Sequence, residues 1–248
     1  MNIILNNKRA LVCGGSQGIG RAIALQFARS GAEVTAVSRN SDNLELILSE
    51  LRGISNLEHR AIQADSANPG EFSEIIGRKG FDYDILVNNT GGPAMGALLD
   101  SSADRLLSAF NQHIISSHLL TQMIAGYMKQ KNWGRIINVI SMSVRTPIDN
   151  LGVSNTVRGA MASWAKTLSK ELAPNGITVN NILPGNIRTG RLESIIQSNA
   201  VKNMVSTAEI EASMMATIPA GRFGAPEEAG WLAAFLVSDY AGYITGSS

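Results

Sequence analysis

Short apolar runs alternate with longer amphipathic segments along most of the chain, and this alternation constrains the fold more than any other feature. Six runs have strand-like composition, at residues 10–15, 33–39, 59–65, 84–89, 135–141 and 177–185. The segments between them have helical character near 18–30, 41–52, 69–79, 101–131, 151–173 and 226–238. Buried strands separated by helices are typical of βαβ units. The sequence therefore predicts an α/β fold with a doubly wound parallel sheet, as one domain over residues 1–248.

The composition excludes several classes of protein. A chain of 248 residues with 44% hydrophobic and 17% charged residues suits one α/β domain. Its net charge of +1, without a long block of like charges, argues against nucleic-acid and membrane partners. The single Cys13 excludes an internal disulfide framework, and no run approaches the roughly 20 apolar residues of a membrane helix. We expect a cytoplasmic protein without a metal site.

The first predicted strand leads into a glycine-rich turn and then a helix. Gly14, Gly18 and Gly20 have the spacing G-x-x-x-G-x-G in "GGSQGIG". Glycines allow the backbone to approach a pyrophosphate, to which the N-terminus of a helix offers free N–H groups. The alternative is a glycine-rich turn with no ligand. The strand–turn–helix context favours a dinucleotide site.

The residue that ends the second predicted strand bears on which dinucleotide binds. An acidic residue there holds a ribose 2′-hydroxyl, whereas an arginine accommodates a 2′-phosphate. Arg39 therefore favours NADP(H), and NAD(H) remains the alternative if Arg39 is only a solvated side chain at a strand end. Asp65, which closes the third strand, either accepts a hydrogen bond from the adenine amino group or caps the following helix.

These features combine with later motifs into a pattern that resembles the short-chain dehydrogenase/reductase family. The motifs are "NNTGG" at 88–92, Ser141 after "GRIINVI", "PGNIRT" at 184–189, and the segments 221–239 and 243–246. The last two are most similar to the 3-oxoacyl-carrier-protein reductase-like branch. The resemblance implies a seven-stranded Rossmann sheet, a nicotinamide cofactor, a small-molecule substrate and a homotetramer or homodimer. Since the sequence stops at "YITGSS", we expect the seventh strand to be missing.

The resemblance also assigns cofactor contacts, residue by residue. It implies phosphate contacts by Ser16, Gln17, Gly18, Ile19 and Gly20, adenosine contacts by Asn89 and Gly91, and carboxamide contacts by Pro184, Gly185, Ile187 and Thr189. Relatives that use NADP often carry a basic residue where this chain has Gln17. The preference for NADP(H) therefore depends on Arg39 alone.

The catalytic residues that the resemblance implies are mostly replaced. The family uses a serine, a tyrosine and a lysine, with an asparagine on the preceding long helix. Ser141 matches the serine, while Ser154 and Arg158 fall at the tyrosine and lysine positions and His113 at the asparagine position. A serine hydroxyl has a pKa several units above that of tyrosine, and it is too short to reach the same carbonyl. The family mechanism cannot run unchanged.

Two of the replacing residues retain useful chemistry. Arg158 stays cationic, so it can hold ribose hydroxyls, a substrate carboxylate or a phosphate. His113 is expected to titrate near neutral pH and to supply a proton, directly or through water; the alternative is an ordinary helix residue. Two functions follow. One is an NADP(H)-dependent oxidoreductase that acts on a carbonyl or alcohol, of the 3-oxoacyl or another type, by a modified mechanism. The other is an inactive dinucleotide-binding sensor or partner subunit.

The segment near 188–222 resembles the mobile substrate lid of the family. Its methionines offer an adaptable apolar wall, or they serve only to pack helices. Arg145, Arg188 and Arg191 lie near the expected mouth of the site, where they either meet an anionic substrate or are solvated.

Overall fold

A computed structural model describes residues 2–78, 80 and 82–248. Its sheet consists of β1 (Arg9–Cys13), β2 (Glu33–Ser38), β3 (Arg60–Gln63), β4 (Ile85–Asn88), β5 (Gly134–Val139) and β6 (Ile177–Ile182). All neighbouring strands are parallel, in the order β3-β2-β1-β4-β5-β6. The predicted doubly wound fold is confirmed.

Nine α-helices flank this sheet in the described residues. They are α1 (Gly18–Arg29), α2 (Ser41–Ile54), α3 (Pro69–Gly77), α4 (Ala103–Phe110), α5 (Ser116–Lys131), α6 (Gly152–Leu172), α7 (Gly190–Asn203), α8 (Thr207–Ala216) and α9 (Pro226–Val237). Pro69 and Pro226 each stand in a first helical turn, where no backbone N–H is required. None of the helices described is long and apolar enough to span a lipid bilayer.

The two faces of the sheet carry separate halves of the core. One face packs on α1, α2 and α9 through side chains such as Phe27, Ile47 and Val237. The other packs on α3, α5 and α6, with Phe72 and Leu120 among its buried side chains. Successive strands are added toward one edge of the sheet from β1 to β3 and toward the other edge from β4 to β6. This order reverses between β1 and β4, which are neighbours although two strands separate them in sequence. Ligands bind at such switch points, outside the carboxyl ends of the strands.

The predicted helical segment over 101–131 is confirmed between Ala103 and Lys131, with one irregularity. A π-helical turn at Asn111–Ile115 separates α4 from α5, and the Ser116 N–H bonds the Asn111 carbonyl. The Ser116 hydroxyl donates to the Ser66 carbonyl at 2.6 Å, which ties this turn to the loop after β3. Single π turns inside helices often occur at functional sites, and His113 lies within this one.

The segment near 188–222 contains two helices that the sequence analysis did not predict. Thr189 caps α7, and a capping box between Ser206 and Glu209 begins α8. A small apolar cluster joins them, in which Met214 and Met215 pack beside buried Leu192, Ile196 and Phe223. These two methionines therefore have the packing role, the second of the alternatives.

The edge of β6 is not bare. The Gly246 N–H donates to the Val179 carbonyl at 2.7 Å, and the Asn181 N–H donates to the Ser247 carbonyl at 3.0 Å. The Asn180 side chain adds bonds to Ile244 and Ser247. Residues 244–248 therefore run beside β6 and satisfy part of its edge, although the described sheet has six strands, as expected.

Candidate active site

A cleft of about 450 Å³ lies along the carboxyl ends of β1, β2, β4, β5 and β6. Its lining includes almost all of the predicted site residues: Gly14, Ser16, Gln17, Gly18, Ile19, Arg39, Asn89, Gly91, Ser141, Ser154, Arg158, Pro184, Gly185, Ile187 and Thr189. Gly20, Asp65 and His113 do not line it. Its volume is in the usual range for a small-molecule site.

Two glycines of the turn after β1, Gly14 and Gly20, have no room for a Cβ atom. Gly14 has a φ of +58°, and a Cβ there would lie 2.6 Å from the Asn89 carbonyl oxygen. A Cβ on Gly20 would lie 2.0 Å from the Gly14 carbonyl oxygen. The Asn89 amide donates to that same carbonyl at 3.2 Å. Gly20 therefore packs against the turn outside the cleft, whereas Gly14, Gly18 and Asn89 line the cleft.

The N-terminus of α1 opens into the same end of the cleft. Its first N–H groups have no partner within the helix, and the Gln17 side chain does not cap them. Beside them the Ser16 hydroxyl donates to the Ser38 hydroxyl at 2.8 Å. Free N–H groups, hydroxyls and a compact backbone form a cradle that fits the phosphates of a dinucleotide.

Arg39 and Asp65 lie close to each other at the adjoining rim. The Arg39 side chain is 67% exposed, and its Nη1 atom is 3.9 Å from the Asp65 carboxylate. The other carboxylate oxygen of Asp65 accepts from the Ala67 N–H at 3.0 Å, in the turn before α3. At that distance Arg39 is free to turn toward a ligand phosphate, whereas Asp65 is engaged by the backbone of its own turn.

The segment after β6 forms the opposite wall. Pro184, Gly185, Ile187 and Thr189 all face the cleft. The Thr189 hydroxyl donates to the Ile187 carbonyl and accepts from the Leu192 N–H, so it stabilises the start of α7. A Cβ on Gly18 would lie 3.2 Å from the Thr189 methyl group. This wall therefore reaches the glycine turn.

Ser141 and Ser154 lie at the end of the cleft opposite α1, which we call the chemical end. Ser141 follows β5, and its hydroxyl accepts from the Ser143 N–H at 3.1 Å, which leaves its own proton free to be donated. Ser154 is in the first turn of α6 and is half-buried. Both hydroxyls line the cleft, and Arg158 lies one turn after Ser154 on the same face of α6.

Arg158 is a buried cation. Its Nη1 atom donates to the Val139 carbonyl at 2.8 Å, and its Nη2 atom donates to the Thr90 carbonyl at 3.3 Å. The side chain therefore joins α6 to the carboxyl ends of β4 and β5. Burial, and to a lesser extent the charge of Arg191, lowers the pKa of Arg158 to about 10. The group still carries its charge at neutral pH.

The expectation that His113 titrates near neutral pH is wrong. Only 2% of the residue is exposed, and burial, followed by the charge of Arg158, lowers its pKa to about 3. Its Nδ1 atom forms a short hydrogen bond with the Thr90 hydroxyl, and its Nε2 atom is buried without a partner among the described residues. His113 therefore lies behind the lining as a neutral imidazole, linked to Arg158 through Thr90.

Sequence reasoning missed the role of Thr90, and it left Arg191 with two alternatives, a substrate contact or a solvated side chain. Thr90 bonds both Arg158 and His113, and Arg191 reaches from α7 to the Pro93 carbonyl at 2.8 Å. "NNTGG" contains Thr90, but its motif gave no signal of that double role. Cys13 also lines the cleft, where burial raises the pKa of its thiol to about 12.

Comparisons with known proteins agree with this architecture. Residues 14–248 match a family model described as Enoyl-(Acyl carrier protein) reductase. NADPH-dependent reductase BacG of Bacillus subtilis is 32% identical over 247 residues, which cover 98% of this chain and 95% of that protein. 3-Oxoacyl-(acyl-carrier-protein) reductase FabG of Aquifex aeolicus is 32% identical over 253 residues, with coverage of 99% and 96%.

A solved structure extends the similarity to three dimensions. L-Sorbose reductase from Gluconobacter frateurii, complexed with NADPH and L-sorbose, superposes with a TM-score of 0.92 at 27% identity, over 100% of this chain and 95% of that one. The family model and these relatives each extend along nearly the whole sequence. The chain therefore belongs to the short-chain dehydrogenase/reductase family.

Proposed function

We propose that this protein is an NADP(H)-dependent oxidoreductase that interconverts a carbonyl and an alcohol by a modified family mechanism. The observation that carries the proposal is the cleft itself, which joins a phosphate cradle at α1 to Ser141 and the buried Arg158. BacG is an NADPH-dependent reductase and the L-sorbose reductase structure is complexed with NADPH, and both support the choice of cofactor.

The residues of the cleft fit such a cofactor. The turn of Gly14 and Gly18 with the N-terminus of α1 would hold the pyrophosphate, and Arg39 would bind the 2′-phosphate. Asn89 and Gly91 would border the adenosine. Pro184 to Thr189 would hold the carboxamide, and Arg158 would donate to the nicotinamide ribose. NAD(H) is the alternative if Arg39 stays in solvent.

Ser154 and Arg158 replace the acid and its activator in this proposal. The bound cofactor supplies or accepts a hydride at the substrate carbon. Ser141 donates a hydrogen bond to the substrate oxygen, and the fixed charge of Arg158 stabilises the negative charge that develops there. The described lining contains no histidine, aspartate or glutamate, and the pKa values of Arg158 and Cys13 are about 10 and about 12. Water in the space beside the short Ser154 would therefore supply the proton that completes the alcohol.

Turnover assays test this proposal. NADPH oxidation is measured with 3-oxoacyl thioesters, ketones and quinones, and we expect one class to react. Ser141→Ala should lower that rate by about a hundredfold, because it removes a donor to the developing charge. No turnover on any class, with intact NADPH binding, would contradict the proposal.

A double variant tests the replaced pair directly. Ser154→Tyr with Arg158→Lys restores the family acid and its activator, so we expect faster reduction of a simple ketone than in the natural protein. Ser154→Phe with Arg158→Lys is the control, since it fills the same space without a phenol. Equal rates for the two double variants would show that the phenol does not reach the substrate.

A second candidate is a dinucleotide-binding sensor or partner subunit without redox chemistry. The observation that favours it is the pKa of about 3 for His113. With this pKa, His113 is neutral near pH of about 7 and does not act as the proton donor that the sequence predicted. It predicts NADPH binding without turnover and association with a catalytically complete relative in pull-down experiments.

We also propose four general properties of the family for this chain. The protein would act in the cytoplasm as a homotetramer or homodimer, within a single domain. Residues 188–222, with α7 and α8, would form a lid over the substrate. Light scattering tests the oligomeric state, and hydrogen exchange with and without NADPH tests the lid, which should become more protected when NADPH is bound.

A further inference from the structure

The charged side chains that line the cleft all have the same sign. They are Arg39, Arg158 and Arg191, and no aspartate or glutamate lines the cleft in the described part of the chain. The proposed function assigns the cofactor anions to the end of the cleft formed by Arg39 and the N-terminus of α1. Arg158 lies at the other end, where the cofactor offers hydroxyls and an amide but no negative group, and Arg191 is close enough for its charge to act on Arg158.

These two arginines differ from Arg135 and Arg188, each of which lies within 4 Å of a carboxylate. Arg135, the other buried arginine of the described residues, lies 3.8 Å from the Asp239 carboxylate. Arg188, on the segment next to Arg191, lies 3.0 Å from Glu211. Neither Arg158 nor Arg191 forms an ion pair with any described carboxylate. Two neighbouring cations without a counter-ion destabilise each other, and the buried one has also lost its hydration.

Both guanidinium groups are held in place before any ligand binds. An arginine has five N–H donors, and Arg158 uses two of them on the Val139 and Thr90 carbonyls, which leaves three. Arg191 is fixed across the cleft by its bond to the Pro93 carbonyl at 2.8 Å. A planar fork with fixed orientation matches the two oxygens of a carboxylate.

We infer that the substrate carries a carboxylate, which Arg158 and Arg191 bind at the chemical end of the cleft beside the carbonyl held by Ser141. This inference rests on the proposed function for the identity of the reacting group. It makes Arg191 a specificity-determining residue and gives Arg158 a second contact besides the ribose.

The electrostatics of the buried cation agree with this inference. Burial and the charge of Arg191 both lower the pKa of Arg158, so its surroundings in the protein disfavour the charged form. A bound carboxylate would compensate both cations and would itself be stabilised in its ionised form.

Matched pairs of acids and esters test the inference on the intact protein loaded with NADP⁺. The probes are 4-oxocyclohexanecarboxylate and 4-oxopentanoate, each compared with its methyl ester, and calorimetry gives the Kd. We expect at least one acid to bind roughly ten- to hundredfold more tightly than its ester, the usual scale of hydrogen bonds to a charged group. Arg191→Gln should reduce this preference about tenfold. Arg188→Gln, a nearby arginine outside the lining, should keep it.

The outcomes separate this inference from the proposed function, since NADPH oxidation is measured on the same probes. Equal affinities within both pairs, or a preference that persists in Arg191→Gln, would overturn the inference. Turnover of the esters without any preference for the acids would leave the proposed function intact and remove the carboxylate site. Preferential binding of an acid without turnover of any probe would support the site and contradict the oxidoreductase.

Discussion

Acid should destabilise this protein through His113 more than through an ordinary histidine. Its pKa falls from 6.5 to about 3, so the folded protein resists protonation that the unfolded chain accepts. Its full contribution to stability is present above pH of about 6.5, and it is lost progressively as the pH falls toward about 3. At a pH of about 4 the loss amounts to about 3 kcal/mol, a large part of the roughly 5–15 kcal/mol that stabilises a typical domain.

The measurement compares urea unfolding of the natural protein with that of His113→Asn. Asparagine does not titrate, and it is the residue that the family resemblance implies at this position. The difference in free energy of unfolding between the two proteins should change by about 3 kcal/mol between pH of about 8 and about 4, at one protein concentration. Gln112→Ala, on the same π turn, is the control and should show no such change.

Two results would refute this reasoning. A His113→Asn difference that stays flat with pH would mean that the imidazole protonates as readily when folded as when unfolded. An imidazole titration by NMR with a midpoint near 6 would mean the same. Either result would show that the folded protein lets His113 titrate near neutral pH.

Three further predictions concern cofactor binding and the glycine turn. Arg39→Gln should weaken NADPH binding about tenfold and leave NADH binding unchanged, because only the former offers a 2′-phosphate; calorimetry with both measures this. Gly20→Ala should cost at least about 2 kcal/mol of stability in urea unfolding, since its Cβ would lie 2.0 Å from a backbone oxygen, whereas Gly53→Ala, with nothing within 4 Å, should be neutral or slightly stabilising. Arg158→Met should weaken NADPH binding by about 1.5–3 kcal/mol, and Ser154→Ala should leave it nearly unchanged, as titration of nicotinamide fluorescence would show. Equal effects of Arg158→Met and Ser154→Ala would mean that Arg158 does not touch the ribose.

The sheet was predictable because each of its signals is local. Apolar runs mark strands that are buried on both faces, and the glycine spacing after β1 reflects contacts within one turn. The π turn within the 101–131 helix had no local signal, and the Ser116 hydroxyl ties it to the Ser66 carbonyl across the chain. The two helices of 188–222 did have a local signal, since Ser206 and Glu209 form a capping box.

Most residues that line the candidate site were predictable, but the protonation state of His113 was not. Periodicity and motif order placed Ser154 and Arg158 on one face of α6, and both line the cleft. Whether a histidine titrates depends on its burial and on the charges around it. The burial of His113 and its proximity to Arg158 arise from tertiary packing, which sequence spacing does not reveal.

Positions 113 and 158 of the site are physically coupled. Arg158 donates to the Thr90 carbonyl, and the Thr90 hydroxyl bonds His113, so positions 113 and 158 share one residue as partner. The charge of Arg158 also helps to keep His113 neutral. A lysine at 158 has one ammonium group in place of the fork, so it cannot keep the geometry that bonds both the Val139 and Thr90 carbonyls. The free-energy changes caused by substitutions at positions 113 and 158 should therefore not be additive, because each depends on the residue at the other position.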